Sequence, residues 1–477
     1  MKKYLLFSMI AVVGASCSEF LTLQPENQIS ENSFYKNIND FDAALSGTYA
    51  ELQTLHDAAI VYVGDLTTDN AEIKWTVPAV AETEFDEMNP TPANSFLNTI
   101  WMSSYKVISR SNTILSLLDN SGLTGSQKDR LRGECLFLRG YSYFYLVRIF
   151  GAVPLVEVAF RSPNEIMNFD MSRKEPALVY GLIERDLTDA AALLTGVTGL
   201  AKSRASAGAS ETLLGKVYLT TKQFDKAAAI LKRVIDSNTY ALQPEYGTLF
   251  TNGNDNLKES VFEILYMSGN VGEGNSFSSI FTPARFDMAI FPGNMQGSGR
   301  IVPTPEIAAA YENGDKRRPV SVRDSIRTNT GKYEKDLFGL KFVDFTTGIV
   351  GDGGINFTSL RYADVLMMYG ESLNELGQTG PAHEYLNAVR IRAGLPGVSG
   401  LSQSEFRLAM EMERRLEFFL EGHRWFDLVR TNRAETVLND YFRSKGLSFT
   451  VAPHELIMPI PIREIDINPN LGQNQGY

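Results

Sequence analysis

Cysteine is almost absent from this chain: there are two in 477 residues. If Cys17, which lies in an N-terminal segment with the marks of processing, is modified, only Cys135 remains and no disulfide framework can form. Histidine is nearly as scarce. His56, His383, His423 and His454 are scattered, and no two have metal-ligand spacing. The sequence also lacks HExxH, CxxC, a GxSxG elbow and a phosphate-cradling glycine loop with its lysine, so no familiar enzyme signature argues for catalysis. A basic excess is missing too. With 45 Lys and Arg against 56 Asp and Glu the formal net charge is -11, and nothing resembles the basic stripe that phosphate neutralisation requires. No segment reaches the ~20 consecutive apolar residues of a membrane-spanning helix.

What is present begins with a processing signal. Lys2 and Lys3 precede the apolar run Tyr4 to Val13, and the small residues Gly14, Ala15 and Ser16 stand directly before Cys17. This reads as a secretory signal over 1–16 ending in a lipobox-like site, with Gly14 where an aliphatic side chain is usual. Cys17 becomes the lipid-bearing first residue, and acyl chains at ~0.8 kcal/mol per buried CH2 hold it on a membrane. The polar, proline-containing strip after it, within 17–38, reads as an extended tether.

The rest, with 44% hydrophobic and 21% charged residues, has an ordinary globular composition. Apolar residues at helical spacing predict a scaffold over 39–55, 94–150, 175–238 and 361–430. Within it, Gly215 and Ala227 stand at the separation of a tetratricopeptide helix pair, in which small residues let two helices approach closely. Gly370, Ala382, Leu386 and Val389 repeat the spacing of Gly215, Ala227, Leu231 and Val234. Such pairs stack into superhelical scaffolds. The fold class expected is mainly α, with tetratricopeptide-like pairs, long irregular loops and a few short strands, SVFEILYM at 260–267 among them.

Two loop-rich regions, 56–93 and 240–360, display aromatic and amide groups that helix packing does not consume. Flat aromatic faces beside Asp, Asn and Arg are what recognition of a sugar or a peptide needs. Asp69, Asn70, Trp75, Phe291 and Asn294 are the candidate ligand contacts on this ground. No cofactor is expected: NGNDNLKE at 252–259 holds several oxygen ligands but lacks the full Ca2+ loop pattern and reads as a turn.

The segment ERRLEFFLEGHRWFDLVR, 413–430, places charge inside an apolar helix. Two readings stand: an acid/base site built on Glu417, Glu421 and His423, or a structural helix whose arginines and carboxylates satisfy one another. The second predicts that Arg424 and Trp425 are buried, with Arg424 paired to a carboxylate. Gly422, costly inside a helix, marks a helix end or a close approach of another backbone.

Six strings in order carry a family resemblance: CSEFLTLQPENQIS after the signal, RGECLFLRGYSYFYLVRIFGAVPLV at 132–156, RYADVLMMYGESLNELG at 361–377, LNAVRIRAGLP at 386–396, ERRLEFFLEGHRWFDLVR, and PIPIREIDINPNLGQNQGY at the end. With them the chain resembles the SusD/RagB family of outer-membrane nutrient-binding lipoproteins of the Bacteroidota. The resemblance implies a single SusD-like domain over 39–477, a lipoprotein anchored through Cys17 at the cell outer membrane and facing outward, and no catalysis. It implies a SusC-like TonB-dependent transporter as partner, to which the protein delivers oligosaccharide or, in some members, peptide. A glycosidase using Glu417 and Glu421 is the alternative from a different class. The family's ligand loops vary, so the resemblance transfers no binding residue.

Overall fold

The computed structural model describes residues 35–57, 59–74, 79–288 and 290–477. The signal segment, Cys17, most of the tether, Trp75 and the side chain of Asn294 fall outside the described residues. The chain is mainly α, with 53% helix and 8% strand. We number the longer helices α1 Ile38–His56, α2 Ser95–Asp119, α3 Ser126–Phe150, α4 Pro176–Leu194, α5 Ala207–Thr220, α6 Phe224–Asp236, α7 Tyr362–Glu375, α8 Thr379–Arg392, α9 Gln403–Glu417, α10 Arg424–Arg430 and α11 Ala434–Ser444.

From α1 to α8 each helix packs on the next, and α6 packs directly on α7 although more than a hundred residues separate them in sequence. The two copies of the small-residue pattern are therefore neighbours in one stack. Their glycines show why the pairs close up. A Cβ on Gly215 would lie 2.5 Å from the Leu231 side chain across the α5–α6 pair, and one on Gly370 would lie 3.2 Å from Cβ of Tyr385 across α7–α8. Gly140 does the same for α3 against Leu187 of α4, at 3.2 Å. Helix α3 is buried on nearly every side and carries Cys135 in the core, where burial pushes its thiol up and leaves it inert. Caps fix the starts: Asn37 and Asp40 form a capping box on α1, Ser402 and Glu405 one on α9, and the Asn94 side chain accepts from the Phe96 and Leu97 amides on α2.

Strands are short and pair antiparallel in four two-stranded ribbons: β1 (Ala71–Glu72) with β5 (Val302–Pro303), β2 (Val153–Pro154) with β3 (Arg173–Lys174), β4 (Ser260–Ile264) with β8 (Phe357–Arg361), and β6 (Val322–Arg327) with β7 (Tyr333–Gly339). Buried side chains from the helices and from β4, β6, β7 and β8 join one continuous apolar cluster. Among the described residues no helix is long and apolar enough to cross a membrane.

The structure corrects three expectations. The region 56–93 is not loop throughout: a short helix, Ala59–Val61, runs into a π-helical turn, Tyr62–Leu66, and both are buried, because AIVYV is apolar on every side and has no period to detect. The helix expected over 413–430 is split between two, broken where Leu420 and Gly422 adopt positive φ of 63° and 73°. The helices do not end with the expected scaffold at 430: α11 follows and buries Leu438 and Phe442.

The break has a backbone cause. A Cβ on Gly64, in the π-helical turn, would lie 2.4 Å from Cα of Gly422, so the two main chains touch. Gly64→Ala should therefore cost at least ~2 kcal/mol, since neither backbone can retreat. Gly47→Ala, in the interior of α1 with nothing within 4 Å of the added methyl, should gain ~0.5–1 kcal/mol. Thermal melts of the two variants should shift in opposite directions.

Candidate ligand-binding surface

The carboxylates of the acid/base reading are enclosed and paired. Glu417 and Glu421 side chains are 0% exposed. Glu417 accepts from Arg361 at 2.9 Å, from Arg317 at 3.1 Å and from Arg392. Glu421 accepts from Arg361 at 2.8 and 3.0 Å and from Lys341 at 2.9 Å. Glu259, just before β4, takes Arg361 at 2.6 Å and Arg392 at 3.2 Å, while Arg317 also holds Asp315 at 2.8 Å and Glu413 at 2.6 Å. Burial alone would raise the Glu417 carboxyl, but Arg392, Arg361 and Arg317 hold it well below the usual carboxylate range. Burial pushes the Lys341 ammonium down to about 8, with Glu421 resisting. A general acid needs a raised pKa and access to substrate, and Glu417 has neither.

This lattice explains how the long segment 240–360 is held. Glu259, Asp315, Arg317 and Lys341 belong to it, Arg361 directly follows it, and their partners lie on α8, α9 and the break after α9. Arg361 opens the RYADVLMMYGESLNELG string, but the other four are isolated charges in no sequence motif, so nothing in the sequence singles them out.

A second set of contacts clamps the first loop region. Asp69 and Asn70, expected to meet ligand, are 6% and 1% exposed and have partners inside the chain. Asp69 pairs with Arg424 at 2.9 and 3.1 Å and with Arg415 at 3.0 Å, and Arg415 also donates to Asn70 Oδ1 at 2.8 Å. Asp65 accepts the Gly422 amide at 2.7 Å and the Asn70 side chain at 3.2 Å; burial pushes its carboxyl up to about 6. Loop polarity at 65–70 thus serves folding, because the ion-rich segment after it in the chain lies directly against it. Arg424 is buried on Asp69, and Trp425 is 1% exposed.

Directly after this clamp the two loop regions meet. Ribbon β1–β5 joins them, Thr304 donates its amide to Asn70 O at 3.0 Å and its hydroxyl to Asp69 O at 2.9 Å, Lys74 N donates to Gly299 O at 3.0 Å, and Arg300 pairs with Glu82. Trp75 follows Lys74 in sequence. On the second region Phe291 is not displayed as expected. It is 7% exposed and stacks on Phe345, with centroids 5.8 Å apart, and Phe345 is the more open ring. Phe277 and Phe281 are buried and stacked on each other. The free faces are Phe286, 87% exposed, and Tyr333, 73% exposed. Arg285, next to Phe286, pairs with Asp287 at 2.8 Å and with Glu334, next to Tyr333. The Met288–Thr328 bridge further ties this turn to the β6–β7 hairpin. Two exposed rings flanking one ion cluster can offer flat faces with charged hydrogen-bonding groups between them. Tyr333 was missed because nothing in its sequence surroundings separates a ribbon end from a core strand.

A hollow of about 1130 Å³ lies elsewhere, between α2, the short helix Pro163–Asn168 and the C-terminal residues 463–471. Among the described residues, none of 56–93 or 240–360 lines it. Trp101 there is 3% exposed and packs edge-on against Phe150, and the Tyr105 hydroxyl donates to Pro154 O at 2.7 Å. Among the described residues no three His, Cys, Asp or Glu side chains gather as a metal site.

Comparison with known proteins places this architecture. The sequence model described as the SusD family matches residues 328–477, and one described as starch-binding associating with outer membrane matches residues 19–219. The SusD-like protein P2 of Formosa agariphila is 28% identical over 100% of both chains. The starch-binding protein SusD of Bacteroides thetaiotaomicron is 24% identical over 75% of this chain and 74% of its own. A solved laminarin-binding SusD-like protein superposes with a TM-score of 0.79 at 27% identity, covering 93% of this chain and 100% of that one.

Two outcomes test the lattice. Glu417→Gln leaves three buried cations short of a counter-charge and should cost ~3–5 kcal/mol in thermal unfolding. Glu417, Asp69, Asp364 and Asp427 all have folded-state values below the ordinary carboxylate range, through nearby arginines and, for Asp364, Lys216, against the opposing effect of burial. Their contribution is full above the unfolded carboxylate pKa and is lost as pH falls toward the folded values. The melting temperature should fall steeply below about pH 4.

Proposed function

The chain belongs to the SusD/RagB family, and from that membership we propose that it is a surface lipoprotein that binds oligosaccharide without cleaving it and passes it to a SusC-like TonB-dependent transporter. The observation that carries the reading is the junction of the two loop regions through β1–β5, with Phe286 and Tyr333 exposed on the second of them. Exposed rings on rigid supports suit the apolar faces of sugars, and pre-organisation limits the entropy lost on binding. The match to a family described as starch-binding associating with outer membrane, together with the laminarin binding and starch binding of two similar proteins, supports glycan cargo and an outer-membrane location. Anchoring rests on Cys17 behind its signal, and the transporter on the family resemblance. Capture on an outward-facing surface and release when the partner closes would make delivery a population shift, with no chemical step.

Calorimetry of protein lacking residues 1–17 against laminarin- and starch-derived oligosaccharides should show binding. Trp75→Ala, Phe286→Ala and Tyr333→Ala should each weaken it about tenfold while melting temperatures stay unchanged. Binding of peptides with no response to any glycan would transfer the reading to peptide cargo. New reducing ends formed from the glycan would instead mean catalysis.

A further inference from the structure

Residues 158–172 leave the body of the protein as a separate flap. The β2–β3 ribbon closes its neck, Phe160 and Phe169 pack edge-on at its base with centroids 5.1 Å apart, and the short helix Pro163–Asn168 forms its tip. The flap carries Val158, Phe160, Ile166, Met167, Phe169 and Met171, yet none of the six joins the continuous apolar cluster of the core, and the tip helix buries no side chain. Apolar surface gathered in one segment and left in water is a sign of a contact that forms elsewhere.

The hydrogen bonds separate tip from base. The Arg161 amide donates to the Glu165 carboxylate at 2.7 Å and the Glu165 amide to Ser162 Oγ at 3.4 Å, so the tip helix is capped from within the flap. The flap is tied to the body near its ends, where Asn112 donates to Val158 O at 3.2 Å, Arg161 to Ser116 Oγ at 3.2 Å and Asn468 to Met171 O at 3.3 Å. Among the described residues, no hydrogen bond or ion pair links 162–169 to anything outside the flap. The tip can therefore turn as one piece about 160–162 and 169–171 without giving up a bond to the body.

Ile166 and Met167 line the hollow beside α2, together with Met102, Trp101, Ile467 and Leu471. Across it the C-terminal helix Ile462–Ile467 likewise buries no side chain. In the position seen here Met167 is 81% exposed, Ile467 68% and Met102 42%, so an inward turn of the tip would take apolar surface on both walls out of water.

We propose that residues 158–172 are a lid, held open in this structure, whose tip closes into the hollow and brings Ile166 and Met167 against Met102 and Ile467. Unbranched, flexible methionines suit a contact that must form and separate, because they repack at little cost. The device is independent of the loop junction and of the cargo bound there.

Oxidation of the intact protein by dilute hydrogen peroxide, followed by mass spectrometry of its methionine peptides, reads the position of the lid, since an enclosed thioether is shielded from the oxidant. Met267, 56% exposed, and Met412, 43% exposed, lie outside the hollow and serve as references. Met167 and Met102 should oxidise about tenfold more slowly than these two, as a tip closed about nine-tenths of the time requires. With the tip fixed as in the structure Met167 would be the fastest of the four, and a Met167 rate at or above the references would overturn the proposal. Ile467→Asp, which places a charge in the closed contact, should bring Met167 up to the reference rate. A Met167 that stays shielded in that variant would equally contradict the lid, and the unmodified protein decides the matter should the variant not fold.

Discussion

Arg361 is the interaction on which the rest depends. It ends β8, is 1% exposed, and donates at once to Glu259, Glu417 and Glu421. Through Glu417 and Glu421 the segment that loops out between α6 and α7 is attached to α9 and the break after it. Removing water from so many charges is expensive, and the cost is recovered only when each is met by opposite charge in good geometry. That requirement makes the arrangement specific: a shifted loop would leave a buried cation or carboxylate alone. The same logic recurs in the Asp69–Arg415–Arg424 clamp and in the Asp364–Arg414–Asp427–Arg430 row, so one ion-rich stretch braces both loop regions from behind.

Much of the scaffold was legible in the sequence because helix pairing leaves local marks. Gly215 with Ala227 and Gly370 with Ala382 sit at spacings that only a close helix pair requires, and the apolar stripe of α1 repeats at helical period. The buried π-helical turn was not legible, since a fully apolar run has no period. The break at 418–423 was half legible. Gly422 signalled either a helix end or a close approach, and both hold, but the partner at Gly64 lies far away in the chain.

The surface was legible as two regions and not as residues. Asp69 and Asn70 have the right chemistry for a ligand in a loop, yet the arginines of 413–430 use that chemistry for folding. Phe291 reads like Phe286 in sequence, and burial against Phe345 separates them. Whether a loop aromatic is displayed depends on what the rest of the chain brings beside it, which is long-range information. The division of labour follows: charge locked in pairs forms the rigid support, and the few rings left uncovered are available to cargo.

The central claim is that ligand meets the junction of 71–82 with 283–300 and the β6–β7 hairpin, while the ion-rich segment 413–430 only supports it. Hydrogen–deuterium exchange with and without a bound oligosaccharide measures this directly. Added protection confined to those three segments, with 413–430 already slow and unchanged, is the predicted result. Ligand-induced protection centred on 413–430 or on the hollow between α2 and residues 463–471, with the loop junction unaffected, would contradict it.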